Sequence, residues 1–236
     1  MTTQTAMTQT PAIRTEKLMR RLDGEVPVTL VKGADVDIYG GEFVAITGPS
    51  GSGKSSLMYL MGLLDQPTGG RLWIGNRETT KLNSETLADI RLSQIGFVFQ
   101  SHFLLPEFSA LENVMLPMQR LGELSAQDMR TRGMHLLETL GLGAHAHKLP
   151  KQLSGGQSQR VSIARALAND PPIILADEPT GNLDSASSQN VQGILKNLAQ
   201  EHGRAVVVVT HDPAFAATAG RIIHIVDGHI VDTPPA

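Results

Sequence analysis

The sequence predicts an α/β fold with a mainly parallel central sheet, an antiparallel β lobe and a helical insertion between core strands. Three observations predict it. Apolar runs at residues 43–46, 95–99, 173–176 and 205–209 do not alternate with polar residues, which marks strands buried on both faces, as parallel strands are. Loose alternation between residues 13 and 38 marks strands with one wet face. From about residue 108 to 150 the apolar positions recur at helical spacing instead.

In chain order, residues 1–12 are a Thr- and Gln-rich tail too polar to bury a core. Residues 13–38 read as two or three antiparallel strands joined by turns at Asp23-Gly24 and Lys32-Gly33. The run 43–46 enters the core, and a glycine-rich loop leads to a helix carrying Leu57, Leu60, Met61 and Leu64 on its apolar side. A hairpin arm follows at 67–75, a short helix at 84–91, and a core strand at 95–99 that ends at Gln100. The helical insertion covers about 101–165. In it Leu111, Val114, Met115 and Met118 line one helix, and Met129, Leu136, Leu137 and Leu140 line a second, with Ser125 and Asp128 as its capping box. Such an insertion is expected to form a lobe of its own with a face free for a partner. Leu153-Ser154-Gly155-Gly156-Gln157 then opens a helix with Val161, Ala164, Leu167 and Ala168 on one side. Core strands return at 173–176, 205–209 and 222–226, and Asp227-Gly228 turns the chain into Ile230-Val231. The folded domain is expected over 13–232, with a short tail at 233–236.

Composition narrows the function. A chain of 236 residues suffices for one large domain with a buried core. Its longest aliphatic stretch, 205–209, is far short of a membrane span. No basic-then-apolar leader opens it, and there is no cysteine, so a cytoplasmic location is expected. A net charge of −3 without a block of one sign leaves no nucleic-acid footprint.

The chemistry collects where the core strands end. Gly48-Pro49-Ser50-Gly51-Ser52-Gly53-Lys54-Ser55 follows a strand and precedes a helix, the context in which such a loop curls its amides around a phosphate at the positive end of the helix. Lys54 then reaches the terminal phosphates and Ser55 ligates magnesium. The other buried strands run into Gln100, Asp177-Glu178 and Thr210-His211, and open parallel sheets bind ligands at that edge. Asp177 suits the magnesium carboxylate, Glu178 the base for an attacking water, and His211 a contact to the γ-phosphate. His145 and His147, alternate residues with no third ligand, read as surface residues. Residues 154–157 are a second anion-binding helix N-terminus. One nucleotide already has its cradle, so the second belongs to a nucleotide held by another copy of the chain in a two-fold dimer.

Five motifs in order, Gly48 to Ser55, Gln100, Leu153 to Gln157, the strand ending in Asp177-Glu178 with Asp184 after Gly181-Asn182-Leu183, and His211, resemble those of the ATP-binding cassette (ABC) nucleotide-binding domain over about residues 13–232. The resemblance implies a P-loop NTPase core with ATP and Mg2+ as cofactors. It also implies a head-to-tail ATP-sandwich dimer and transmembrane permease subunits docked between core and helical lobe. It adds Ser56 and Asp184 to the nucleotide site, with Ser154, Gly155, Gly156 and Gln157 contributed in trans. It places Gln100 among both the catalytic and the metal-site residues. The stretches 62–65, 99–106 and 110–114 look most like the lipoprotein-releasing (LolD-type) and macrolide-exporter (MacB-type) branch. That implies a place on the cytoplasmic face of a bacterial inner membrane. Because the chain stops near Val231, a separate subunit is the closer analogue. A mechanical regulator of the FtsE kind, with the same ATPase and no transported substrate, is the alternative. DNA-repair and translation ATPases predict coiled coils, zinc cysteines or tandem cassettes, which are absent from the sequence. Three positions depart from the family pattern. Leu22 stands where an aromatic commonly stacks on adenine, Ser56 replaces the usual Thr, and Ser158 follows the signature. Leu22 lacks a π-face, so base discrimination is expected to be modest.

Overall fold

A computed structural model describes residues 9–231. The chain starts with an antiparallel pair, β1 (Ile13–Leu22) and β2 (Val28–Ile38), then enters the centre through β3 (Phe43–Thr47) and leaves it on α1 (Lys54–Met61). Next come β4 (Gly69–Ile74), β5 (Arg77–Glu78), α2 (Ser84–Gln94) and β6 (Ile95–Phe99). The insertion holds α3 (Ala110–Leu121) and α4 (Ala126–Thr139), followed by α5 (Gly155–Ala166). Then β7 (Ile173–Asp177), α6 (Ser185–Gln200), β8 (Ala205–Val209), α7 (Pro213–Ala216), β9 (Arg221–Val226) and β10 (His229–Val231) complete the chain.

The strands form two sheets. The six-stranded one runs β10-β9-β3-β8-β7-β6, and the four-stranded one runs β2-β1-β4-β5. Within the larger sheet β9, β3, β8, β7 and β6 are parallel and only β10 is antiparallel. The non-alternating runs have the expected cause. Ile173 and Leu175 pack with Val207 and Val209 on one face, beside α1 and the β lobe, while Ile174, Ala176, Val206 and Val208 pack on the other, beside the helices. Both faces of each central strand are therefore removed from water. Since these strands are parallel and in register, β3, β8, β7 and β6 all end at one edge, with Ile46 beside Val209 and Asp177 beside both Val209 and Phe99.

Three sequence expectations change. Residues 13–38 make two strands, within the two or three expected, but one of the two turns does not form. Lys32-Gly33 is no turn but an irregularity inside β2, where Gly33 takes φ of 74° and the register slips between Leu18, paired with Ala34, and Met19, paired with Lys32. The helical insertion has no core of its own. Leu111, Val114, Met118 and Leu137 belong to the same apolar cluster as Val98, Ile174 and Val206, because α5 bridges insertion and sheet. At α4 the Ser125 hydroxyl accepts from Asp128 N, but the shorter Asp side chain accepts from that hydroxyl at 2.6 Å in return. The Asp227-Gly228 turn is as expected, both residues having positive φ. Ala12, assigned to the tail, already donates to Ile38 O and accepts from Gly75 N. The rest of that tail up to residue 8, and the tail at 233–236, lie outside the described residues.

Candidate functional site

The loop from Gly48 to Gly53 is pressed against β2 and β9. A Cβ at Gly48 (φ 141°) would overlap the Ile225 carbonyl oxygen, and one at Gly53 (φ 103°) would overlap that of Leu30, so no other residue fits either position. Gly51 at the crest faces open space, and Pro49 and Ser50 beside it are exposed. Ser52 is buried; its carbonyl accepts from Gly228 N, and its hydroxyl has no partner among the described residues. The first turn of α1 has neither a side-chain cap nor an acidic residue. Helices α2 to α7 are each capped by Asn, Ser or Asp. The amides of this one N-terminus are left for an external anion, helped by the helix dipole. Lys54 Nζ donates to Gly48 O at 2.9 Å and Pro49 O at 2.7 Å, which holds its charge over the loop. Amides, ammonium and a cradle that a Cβ would fill match a polyphosphate. Ser56, next on α1, is half-buried.

Asp177 ends β7 against α1. Ser55 Oγ donates to its Oδ1 at 3.1 Å and Tyr59 OH to its Oδ2 at 2.8 Å. Burial, the hydrogen bond and the carboxylate's charge push the Tyr59 phenol up to about 12, so it stays a donor. Glu178, next along, has φ of 46°, a left-handed conformation uncommon for a residue with a side chain. Its N–H donates to Val209 O, which turns the side chain toward the end of β8. There Glu178 Oε2 lies 2.9 Å from His211 Nδ1, the imidazole exposed and the carboxylate largely covered. From the end of β6, Gln100 Nε2 donates to Asn182 Oδ1 at 3.1 Å, across Gly181, where a Cβ would lie 2.7 Å from Gln100 Nε2. Ser55, Gln100, Asp177 and Glu178 thus line one cavity of about 260 Å³. Oxygen donors from Ser55 and Asp177, so close together, are the hard ligands that a divalent cation shared with phosphates requires.

Residues 154–157 stand elsewhere. Ser154 caps α5 in a closed capping box with Gln157, and a Cβ on Gly156 would strike Ser187 on α6. Among the described residues no hydrogen bond joins them to the phosphate loop. Asp184 caps α6, accepting from Ser187 N at 2.9 Å and its hydroxyl at 2.8 Å, bonds that hold its pKa below the usual aspartate value. His145 corrects its sequence reading. It is half-buried, not a plain surface residue, and its Nε2 lies 3.2 Å from Gln157 Nε2, behind the capping box. His147 is exposed as expected. Leu22, at the end of β1, is exposed and pairs with Val28.

Two site residues escaped the sequence reading. Tyr59 is one; its four-residue spacing from Ser55 was the available signal. Gln159 is the other. Fully buried, it donates from Nε2 to Phe99 O at 3.1 Å and Pro179 O at 2.7 Å, and its Oε1 lies 2.7 Å from His102 Nδ1. One amide on the signature helix therefore holds the residue before Gln100 and the residue after Glu178.

A family model described as ABC transporter matches residues 31–181. A lipoprotein-releasing system ATP-binding protein LolD 1 of Chlorobium chlorochromatii is 50% identical over 209 residues, covering 89% of this chain and 85% of the relative. A macrolide export ATP-binding/permease protein MacB 1/2 of Paracoccus denitrificans is also 50% identical, over 96% of this chain but 34% of its own length. Among solved structures, an ATP-binding cassette in a dimeric post-hydrolysis state bound to ADP and Pi superposes with a TM-score of 0.85 at 44% identity, covering 92% of this chain and 96% of that one.

Proposed function

The chain belongs to the ABC transporter family, and from that premise we propose that it is the ATP-hydrolysing subunit of a membrane export complex of the lipoprotein-releasing or macrolide-exporter kind. The observation that carries the reading is the convergence of four strand ends, which brings Ser55 within 3.1 Å of Asp177 and sets Glu178 and Gln100 around the same cavity. Lys54 and the free amides of α1 bind the phosphates. Ser55 and Asp177, with Gln100 beside them, would hold magnesium. When bound, the cation neutralises charge on the β- and γ-phosphates. Glu178 takes the proton of the attacking water on the carboxylate that His211 steadies, and the strained backbone at Glu178 fixes the direction of approach.

A second copy completes the site. Ser154 is exposed at the N-terminus of α5, and in the proposed head-to-tail dimer residues 154–157 of each copy face the nucleotide on the other, with Asp184 beside the joint. Support comes from the cassette solved as a dimer with ADP and Pi. No helix among the described residues is long and apolar enough to cross a membrane. A groove of about 360 Å³ beside the Gln100 loop, lined by Ala88, Leu92, Phe97, Phe99 and Pro117, suits a helix of a transmembrane partner at the cytoplasmic face. Phosphate release from Mg-ATP by the purified chain, compared with Glu178→Gln, tests the assignment. Turnover is expected in the parent and none in the variant, and equal rates would refute it.

A further inference from the structure

Ser55 and Tyr59 stand four residues apart on α1 and so share a face. They donate to different oxygens of one carboxylate, Ser55 to Oδ1 and Tyr59 to Oδ2 of Asp177. The reaction described above uses the first contact and not the second. An aspartate χ2 is soft, so a carboxylate at a strand end has no fixed plane of its own. A hydroxyl on each oxygen fixes it. The Tyr59 ring packs against the apolar cluster under α1, so its hydroxyl is aimed from the core and not from a loop.

We propose that Tyr59 is a positioning residue for the divalent cation: by occupying Oδ2 it keeps Oδ1, the oxygen shared with Ser55, turned toward the metal. Tyr59 lines the same cavity as Ser55 and Asp177, and its part is to orient Asp177, not to ligate the cation itself. The inference rests on the reading of Ser55 and Asp177 as the metal-holding pair. Partners that orient a metal ligand typically carry 10- to 100-fold in metal affinity, and the lower end applies where phosphates supply much of the coordination.

The test uses the full chain carrying Glu178→Gln, saturated with ATP, with Mn2+ as the probe read by electron paramagnetic resonance. Tyr59→Phe keeps the ring and removes only the hydroxyl. Mn2+ binding is expected to weaken about 10-fold, while ATP affinity measured in EDTA and the metal-free melting temperature hold. Ser55→Ala and Asp177→Asn separate the two levels of the argument. If both weaken Mn2+ and Tyr59→Phe does not, the role of Tyr59 is overturned. If neither does, the metal pair itself is misassigned, and the inference falls with it. Equal loss of ATP affinity with and without metal in Tyr59→Phe marks a structural role and also overturns it.

Discussion

Replacing Gln159 by Leu tests how the site is held together. The side chain has no exposure, and its amide serves three partners at 2.7 to 3.1 Å. The contact to Pro179 O lies in buried surroundings, so that carbonyl loses its partner where water does not reach and the loss costs about 2 kcal/mol. The contacts to Phe99 O and His102 are partly buried and cost about 0.5 kcal/mol each. The sum, about 3 kcal/mol, corresponds to a fall in melting temperature of about 6–12 °C for a domain this size. His102→Phe removes one contact and should cost about 0.5 kcal/mol, and the double variant should cost no more than Gln159→Leu alone. Calorimetry or urea unfolding gives the stabilities, and phosphate release at 20 °C, where the variants stay folded, gives the turnover. Turnover should fall about tenfold or more in Gln159→Leu, since Gln100 and Glu178 each adjoin a carbonyl it holds and small displacements of catalytic groups are costly. A Gln159→Leu protein within 1 kcal/mol of the parent and with full turnover would refute the reasoning.

Further consequences follow from other contacts. Gly48→Ala forces a Cβ onto the Ile225 carbonyl oxygen, so nucleotide affinity by fluorescence titration should drop sharply while the central sheet still folds. Lys54→Ala should lose nucleotide affinity too, because it removes a cation held over the loop. Leu22 offers an aliphatic surface with Val28, so ATP and GTP should be turned over at comparable rates. Leu22→Tyr should tighten ATP about 2- to 10-fold by stacking, and a strong ATP preference in the parent would contradict this. The Arg204 guanidinium, 2.6 Å from Asp170, holds that carboxyl below its usual 3.8. A depressed pKa adds stability above the unfolded value that disappears as pH falls through the folded one. The melting temperatures of the parent and Asp170→Asn should therefore converge as pH is lowered below about 4.

The parallel core was legible because strands buried on both faces leave no polar alternation to confuse with anything else, and four of them end in polar residues. The phosphate loop was legible because close backbone contacts at Gly48 and Gly53 exclude every side chain. What stayed hidden depends on pairing across the chain. Lys32-Gly33 has the composition of a turn, and only the pairing of its neighbours across the sheet, Ala34 with Leu18 and Lys32 with Met19, makes it a bulge. Gln159 sits among polar neighbours on a helix, where a glutamine ordinarily faces solvent, and its burial arises from two carbonyls 20 and 60 residues away. His145 looked like a surface residue because its partner, Gln157, lies across a loop.

The claim at the centre is that each ATP site is shared between two copies. Light scattering on Glu178→Gln with Mg-ATP tests it most directly. The mass should double relative to the nucleotide-free chain, and adding Ser154→Arg should return it to a monomer that still binds fluorescent ATP. A Glu178→Gln chain that stays monomeric with ATP bound, or a double variant that still dimerises, would contradict it.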